Sequence, residues 1–181
     1  LIERGVSTWW DKECLEDGQP WEEGFANGLF GSRVFVPILS KAALTPFANL
    51  KADTPQCDNV LLEHILAIEQ LERGRMHAIF PVFAGSVADE ATGERAHFFK
   101  EGGIPECTLA SSVDAIDKKA REHLERQYGR ARSGILGEKR APKAVLDRLC
   151  THQGGFVQGD MEAALDVIAD RVAAMVRKME R

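Results

Sequence analysis

Two apolar runs constrain the fold of this chain more than any other feature. They are "RVFVPILS" (Arg33–Ser40) and "HAIFPVFA" (His77–Ala84). Each run is short and apolar at successive positions instead of alternate ones, which is the pattern of a strand covered on both faces. Pro37 and Pro81 each remove one backbone donor from the runs. The two runs predict buried strands of a parallel sheet.

Helical segments separate these strands. The spacing of apolar residues predicts helices over Pro20–Gly31 and Asp58–Gly74, and Gly74 is suited to end the second of them. A further run, Val6–Trp10, is rich in β-branched and aromatic residues and predicts another strand. Alternation of strand and helix is typical of right-handed βαβ units. The sequence therefore predicts a doubly wound α/β sheet in which the three strands are parallel neighbours or near neighbours.

The second half of the chain is predicted to be mainly helical. Gly85–Gly103 is polar and rich in glycine and predicts a loop, whereas Ile104–Ser112 predicts a short edge strand and His152–Asp160 a turn. Three helices are predicted in a C-terminal extension that spans residues 113–181, over Val113–Tyr128, Pro142–Cys150 and Asp160–Glu180. No internal repeat divides the chain, so residues 1–181 are interpreted as a single domain.

Composition excludes several classes of partner. The formal net charge is -5 and basic residues are interspersed with acidic ones, so the chain has no single-sign field to attract nucleic acid. The apolar runs fall far short of the roughly 20 residues that a membrane span needs. No pair of cysteines has C-x-x-C spacing, which favours free thiols over a disulfide or zinc framework. These features predict a cytoplasmic protein without a metal site.

Four ordered blocks of the sequence resemble a TIR domain. "RGVSTWWDKECLEDGQPW" is similar to the family's second strand and BB loop, and "GSRVFVPILSKAAL" to its third strand. "DNVLLEHILAIE" is similar to its glutamate-bearing helix, and "HAIFPVFAG" to its fourth strand. Together the blocks cover residues 4–85. The resemblance implies a flavodoxin-like sheet, and it implies that the family's usual first strand and helix are not among these 181 residues.

The resemblance also implies a catalytic residue, Glu63. Some TIR domains cleave the bond between nicotinamide and ribose in NAD+, which would make NAD+ a substrate and leave no cofactor to be bound. One carboxylate is chemically sufficient, because the departing nicotinamide needs no proton and the carboxylate stabilises positive charge developing on the ribose. On a helical wheel Glu63 points away from Leu61 and Ile65. Glu69→Gln, two turns later on the same helix, is the control substitution and is expected to have little effect on nicotinamide release.

The loop after Val6–Trp10 is the second part of the predicted site. Ligands of parallel α/β sheets bind at the carboxyl ends of the strands, and the resemblance makes Ser40 a pocket residue at the end of the next strand. The residues predicted to form a mobile rim over the pocket are Asp11, Lys12, Glu16 and Gly18. In the family this loop also contacts neighbouring chains, which implies a homo-oligomer or assembly with other TIR domains. The alternative is an ordinary solvated loop.

Two other functions stay open at this point. Asn59 stands where the family usually has a tryptophan, four residues before the glutamate, and this difference favours a TIR interaction module without catalysis. A phosphoacceptor receiver domain has the same sheet topology but needs an acidic cluster at its first strand, which is not visible here. The sequence also leaves open whether the product of NAD+ cleavage would be linear or cyclic ADP-ribose.

Overall fold

A computed structural model describes residues 1–15, 18, 20–88, 95–97, 109–129, 140–157 and 160–179. The chain is a mixed α/β protein with parallel strand pairing. After a short 3-10 turn at Ile2–Arg4, the helices are α1 (Asp11–Cys14), α2 (Trp21–Gly31), α3 (Lys41–Ala48), α4 (Asn59–Glu72), α5 (Asp114–Tyr128), α6 (Pro142–Cys150) and α7 (Met161–Met179). The strands are β1 (Val34–Phe35), β2 (Ile38–Ser40), β3 (Ala78–Ile79), β4 (Val82–Ala84), β5 (Ser86–Ala88), β6 (Arg95–His97) and β7 (Gly155–Val157).

The two apolar runs pair in parallel, which confirms the central prediction. Strand β1 pairs with β3, strand β2 pairs with β4, and the register is the same in both pairs. Each run is divided in two at Pro37 or Pro81, because proline has no N–H to donate to the ladder. The proline carbonyl oxygens still accept hydrogen bonds from neighbouring strands. The N–H of Val82 donates to the carbonyl of Pro37 at 2.9 Å, and that of Gly155 donates to the carbonyl of Pro81 at 2.9 Å.

A third parallel strand, β7, was not predicted. It pairs with β4 and places Phe156 opposite Phe83, so the prediction of a turn over His152–Asp160 is wrong at these residues. Gly154 and Gly155 make the pairing possible. A Cβ atom at Gly154 would overlap the carbonyl oxygen of Pro81, and one at Gly155 would overlap the side chain of Ile168 in α7. Glycine in a strand often marks such a close approach of another segment.

The prediction of a strand over Val6–Trp10 is wrong. These residues have no regular secondary structure, and within the described ranges no ladder includes them. A short run gains little from β propensity alone unless a neighbouring strand accepts its hydrogen bonds. Trp9 instead packs against α2, where a Cβ atom at Gly28 would overlap its indole ring. The carbonyl of Trp10 accepts hydrogen bonds from the N–H groups of Glu13 and Cys14, the last two residues of α1.

The predicted helices are present with bounds that differ by at most two residues. Helix α3 was not predicted as a separate element. The predicted loop Gly85–Gly103 contains β5 and β6, which pair antiparallel and show that this prediction is wrong at those residues. The part of Ile104–Ser112 that the structure describes contains no strand, and residues 104–108 lie outside the described residues. None of the described helices is long and apolar enough to cross a membrane.

Apolar cores lie on both faces of the parallel strands. The larger core contains Leu39 and Phe83 and is built around α4, which packs against α2, α5 and α6. The smaller core contains Val82 together with Ile168 and Val172 of α7. Adjacent residues of a strand point to opposite faces, so α7 covers the face opposite to α4. Strand β4 is therefore covered on both faces, as its continuous apolar character predicted, whereas Ile38 on the α7 face of β2 stays exposed.

Candidate functional site

Topology places several predicted site residues at one end of the sheet. Helix α2 leads directly into β1, and α4 leads into β3. A helix that joins parallel strands runs antiparallel to them, so the N-terminus of α4 lies near the carboxyl ends of β2 and β4. The N-terminus of α2 lies at the same end, because Glu22 in its first turn is close enough to Cys57, just before α4, to raise the pKa of that thiol. We call this end of the molecule the carboxyl edge. It holds the predicted site residues Ser40 and Glu63 together with Trp21, which was not predicted as a site residue, and it is the end where ligands of open parallel sheets bind.

Ser40 lies at the carboxyl end of β2 and caps helix α3. Its hydroxyl oxygen accepts a hydrogen bond from the N–H of Ala43 at 3.1 Å. A serine N-cap satisfies one of the helix donors that would otherwise lack a partner. Ser40 is therefore at the predicted end of the sheet, and its hydroxyl already has a structural role there.

Glu63 lies in the second turn of α4, close to the carboxyl edge. The helix begins at a side-chain cap, in which the carboxylate of Asp58 accepts a hydrogen bond from the N–H of Leu61 at 2.8 Å. Leu62 and His64 on either side of Glu63 are buried, whereas Glu63 itself is half-buried. The positive end of the helix dipole favours a carboxylate in this region. This arrangement leaves part of the Glu63 side chain accessible from solvent.

The structure places the predicted loop residues only in part. Asp11 and Lys12 are the first two residues of α1, and the structure describes their backbone but not their side chains. Glu16 lies outside the described residues. Gly18 is exposed and has a φ of 83°, a left-handed conformation that favours glycine. The predicted role of these residues as a rim over a pocket stays a prediction.

Trp21 presents an aromatic surface at the carboxyl edge. It is the first residue of α2, the residue is 43% exposed, and its ring stacks on Phe25 with a distance of 5.1 Å between ring centroids. Phe25 is buried in the core and holds the inner face of the indole in place. A fixed and half-exposed indole can stack on a flat ligand group without losing much side-chain freedom.

A polar cluster between α2 and α5 was missed by sequence reasoning. Glu22 Oε1 accepts a hydrogen bond from Lys119 Nζ at 3.0 Å and lies 3.1 Å from His123 Nε2. Partial burial raises the pKa of Glu22, but hydrogen bonds from Lys119 and His123 outweigh it and hold that pKa below its ordinary value. The partners lie 97 and 101 residues from Glu22 along the chain. Residues so far apart in the chain form no local sequence pattern, so the sequence did not indicate this cluster.

The cysteines that the structure describes are free thiols, namely Cys14, Cys57 and Cys150. Burial raises the pKa of Cys57 to about 11, and the Glu22 carboxylate adds to this effect. Burial likewise raises the pKa of Cys150 to about 11. A thiol that stays protonated at neutral pH is a poor nucleophile. Across the described ranges, no group of three or more His, Cys, Asp or Glu side chains could hold a metal ion.

His64 is buried next to Glu63 in an aromatic environment. Its ring lies 5.9 Å from that of Phe35 and 6.2 Å from that of Phe47, measured between centroids. Its Nδ1 atom has no hydrogen-bond partner. Burial lowers the pKa of His64 from 6.5 to about 4, so the imidazole is neutral in the folded protein at neutral pH.

The buried neutral state of His64 predicts a loss of stability in acid. The unfolded chain takes up a proton on this imidazole below about pH 6.5, whereas the folded chain does so only near pH 4. The free energy of unfolding should therefore fall as the pH is lowered through this window, by about 3 kcal/mol in total. Urea unfolding at several pH values should show a shallower fall for His64→Leu than for the wild type. An equally steep fall in both would contradict the prediction, and the exposed His77→Gln serves as control.

Glu69 is fully buried, so its substitution is unsuited as a control for loss of catalysis. It is 0% exposed, and its carboxylate accepts hydrogen bonds from Arg73 Nη2 at 3.1 Å and Nε at 3.3 Å. Arg140, also buried, lies 3.8 Å from the other carboxylate oxygen and 3.9 Å from Asp117. Glu69 follows Leu62, Ile65 and Leu66 at helical spacing, so it lies within the apolar stripe of α4, which packs against α5 and α6.

Comparison of the chain with models of protein families, with curated proteins and with solved structures finds no match.

Proposed function

We propose that this chain is a TIR-like domain that cleaves the bond between nicotinamide and ribose in NAD+, with Glu63 as the catalytic residue. The observation that carries the proposal is the position of Glu63: a half-buried carboxylate near the N-terminus of α4, at the carboxyl edge of a parallel sheet. A doubly wound, flavodoxin-like sheet is part of the proposal. The pairing of β1 and β2 with β3 and β4 supports it, because these strands correspond to two of the blocks that resemble the family.

The reaction requires little from the protein besides one carboxylate. The nicotinamide nitrogen is cationic in NAD+, so heterolysis of its bond to ribose returns the electron pair to that nitrogen and releases a neutral base. Positive charge develops on the ribose ring, and a carboxylate held close to it stabilises the transition state. Water then adds to the ribose carbon and loses a proton, which gives ADP-ribose. Glu63 is suited to this role because it is half-buried near the N-terminus of α4, where the helix dipole favours an ionised carboxylate.

Trp21 supports a flat substrate at the same edge. NAD+ carries two planar rings, the nicotinamide and the adenine, and an indole can stack on either. Because Trp21 is fixed against Phe25 and stays 43% exposed, it offers such a surface without rearrangement. We propose that Trp21 binds one of the two rings while Glu63 faces the ribose, and that Asp11, Lys12, Glu16, Gly18 and Ser40 surround the substrate.

Release of nicotinamide by the purified chain tests the proposal directly. The protein should be incubated with NAD+ at neutral pH, and nicotinamide should be quantified by chromatography. Steady release that scales with protein concentration is expected. No release at high protein concentration would reject catalysis by this chain.

The second candidate is a TIR-like interaction module without catalysis. The observation that favours it is Asn59, the first residue of α4, which takes the place of the family's tryptophan. An asparagine cannot provide the aromatic surface that a ligand ring would contact at that position. Self-association without nicotinamide release would support this candidate.

Charge reversal in the Asp11–Pro20 loop is expected to weaken self-association or turnover several-fold at low salt. Lys12→Glu and Glu16→Lys, made one at a time, each change the local charge by two units. Interactions between surface charges are individually weak and are screened by salt, so the effect should shrink as salt is added. Sedimentation velocity and nicotinamide release measure it, with the exposed Lys118→Glu on α5 as control. If neither quantity changes, the loop is an ordinary solvated turn.

A further inference from the structure

The cluster of Glu22, Lys119 and His123 joins the C-terminal extension to the first turn of α2. Lys119 and His123 lie one turn apart on α5, so both side chains reach the same carboxylate. Lys119 Nζ donates to both oxygens of Glu22, at 3.0 and 3.2 Å, and His123 Nε2 lies 3.1 Å from Oε1. An ionised carboxylate only accepts hydrogen bonds, so His123 Nε2 is the donor in this contact.

The first turn of α2 lacks a side-chain cap. Its N-cap residue, Pro20, makes no side-chain capping hydrogen bond, and the first N–H groups of a helix have no partner within the helix. Helix ends open more easily than helix interiors. Trp21 is the first residue of this turn and Glu22 is the second, so the hydrogen bonds from α5 hold the backbone that carries the indole.

His123 also supports the ring on which the indole of Trp21 rests. The imidazole lies 6.2 Å from the ring of Phe25, measured between centroids, and Phe25 in turn stacks on Trp21 at 5.1 Å. His123 is 4% exposed and Phe25 is 1% exposed, so close packing restricts the movement of both rings. His123 therefore contacts the residue that follows Trp21 and the residue that supports its ring.

A second ion pair between α2 and α5 is exposed. Arg126 Nη1 lies 3.8 Å from Glu23 Oε1, and both side chains are more than half exposed. A pair of this kind contributes little and is screened by salt. The same two helices thus carry one buried link, through His123, and one exposed link that serves as a matched comparison.

We infer that His123 is a positioning residue, which fixes Glu22 and Phe25 and thereby holds Trp21 in the orientation that binds a ring of NAD+. This role rests on the proposed binding of NAD+ at the carboxyl edge. An indole that is already fixed loses less conformational entropy when a ring stacks on it, so the contribution of His123 should appear in ligand affinity. The role also makes α5 part of the site, although α5 lies outside the residues 4–85 that resemble the family.

The affinity for a non-cleavable analogue of NAD+ tests this role without turnover. In the analogue a methylene group replaces the ring oxygen of the nicotinamide ribose, so that oxygen cannot share the positive charge and the bond stays intact. Titration calorimetry of residues 1–181 should show binding about tenfold weaker for His123→Leu than for the wild type, because a fixed stacking surface is lost. His123→Gln keeps an N–H donor for Glu22 and should bind within about twofold of the wild type. Arg126→Gln should bind as the wild type does.

A double-variant cycle separates positioning from a general effect on folding. Trp21→Ala alone should weaken binding by about tenfold or more. Adding His123→Leu to Trp21→Ala should cause no further loss, because the indole that His123 positions is then absent. The urea midpoint of every variant is measured in parallel. If His123→Leu does not fold, Glu22→Gln takes its place, since it weakens the same link from the α2 side.

Three results would each overturn the role of His123: equal affinity of wild type and His123→Leu, additive losses in the double variant, or no binding of the analogue by the wild type. Binding that depends on His123, without release of nicotinamide from NAD+, would support the role and reject only the proposed catalysis.

Discussion

Replacing Glu69 by glutamine should lower the free energy of unfolding by about 3 to 5 kcal/mol. The carboxylate is fully buried and lies between the guanidinium groups of Arg73 and Arg140, which are also buried. Glutamine preserves the shape of the side chain but removes the negative charge. The two guanidinium groups would then stay buried without the carboxylate charge of Glu69 between them. Equilibrium unfolding in urea measures the loss.

Glu72→Gln is the matched control on the same helix. Glu72 pairs with Arg148 at 3.2 Å, and the arginine side chain is 44% exposed. A pair in contact with solvent contributes little net stability, so this variant should lose about 1 kcal/mol or less. Equal unfolding midpoints for the Glu69 and Glu72 variants would show that burial of the Glu69 pair does not have the expected energetic consequence.

Replacing Glu63 by glutamine should reduce nicotinamide release by roughly a hundredfold to a thousandfold. Loss of one preorganised group that stabilises developing charge commonly costs about 3 to 4 kcal/mol in the transition state. Glu63 is half-buried and is not part of the packed stripe of α4, so the folded protein should keep most of its stability. The defect should therefore appear in turnover and not in the urea midpoint.

Glu125→Gln on α5 is the control for this experiment, because Glu125 is exposed. It replaces Glu69 as the control. Substitution of Glu69 would break a buried ion pair, and a loss of turnover could then result from unfolding instead of from a loss of catalysis. Equal turnover of wild type and Glu63→Gln would remove Glu63 from the mechanism. Absence of turnover in every variant, with self-association retained, would favour the interaction module.

Local pattern alone predicted most of the helices. In α4 and α6 the apolar residues recur at helical spacing, and capping residues mark where a helix can begin: Asp58 before α4 and Pro142 at the start of α6. These signals depend on interactions within a few residues of the chain, so they can be read from the sequence. The paired strands were also predictable, because a run that is buried on both faces is apolar at every position.

Strand pairing was less predictable, because it depends on residues that are far apart. Val6–Trp10 has β propensity but no described ladder partner, and it packs against Gly28 instead. Gly155–Val157 is preceded by glycine and was interpreted as a turn, yet those glycines allow β4 and α7 to approach. The same residue type therefore indicates a turn in one tertiary context and close packing in another.

The sequence by itself determined that this chain forms helices between short parallel strands, and it placed Glu63 away from the apolar stripe of α4. It also supplied the resemblance on which the proposed NAD+ chemistry depends. Only the tertiary structure decided that Glu69 meets Arg140, and that Glu22 meets Lys119 and His123. The physical reason is that periodicity describes one helix at a time, whereas burial and charge pairing are set by whichever helices pack against it.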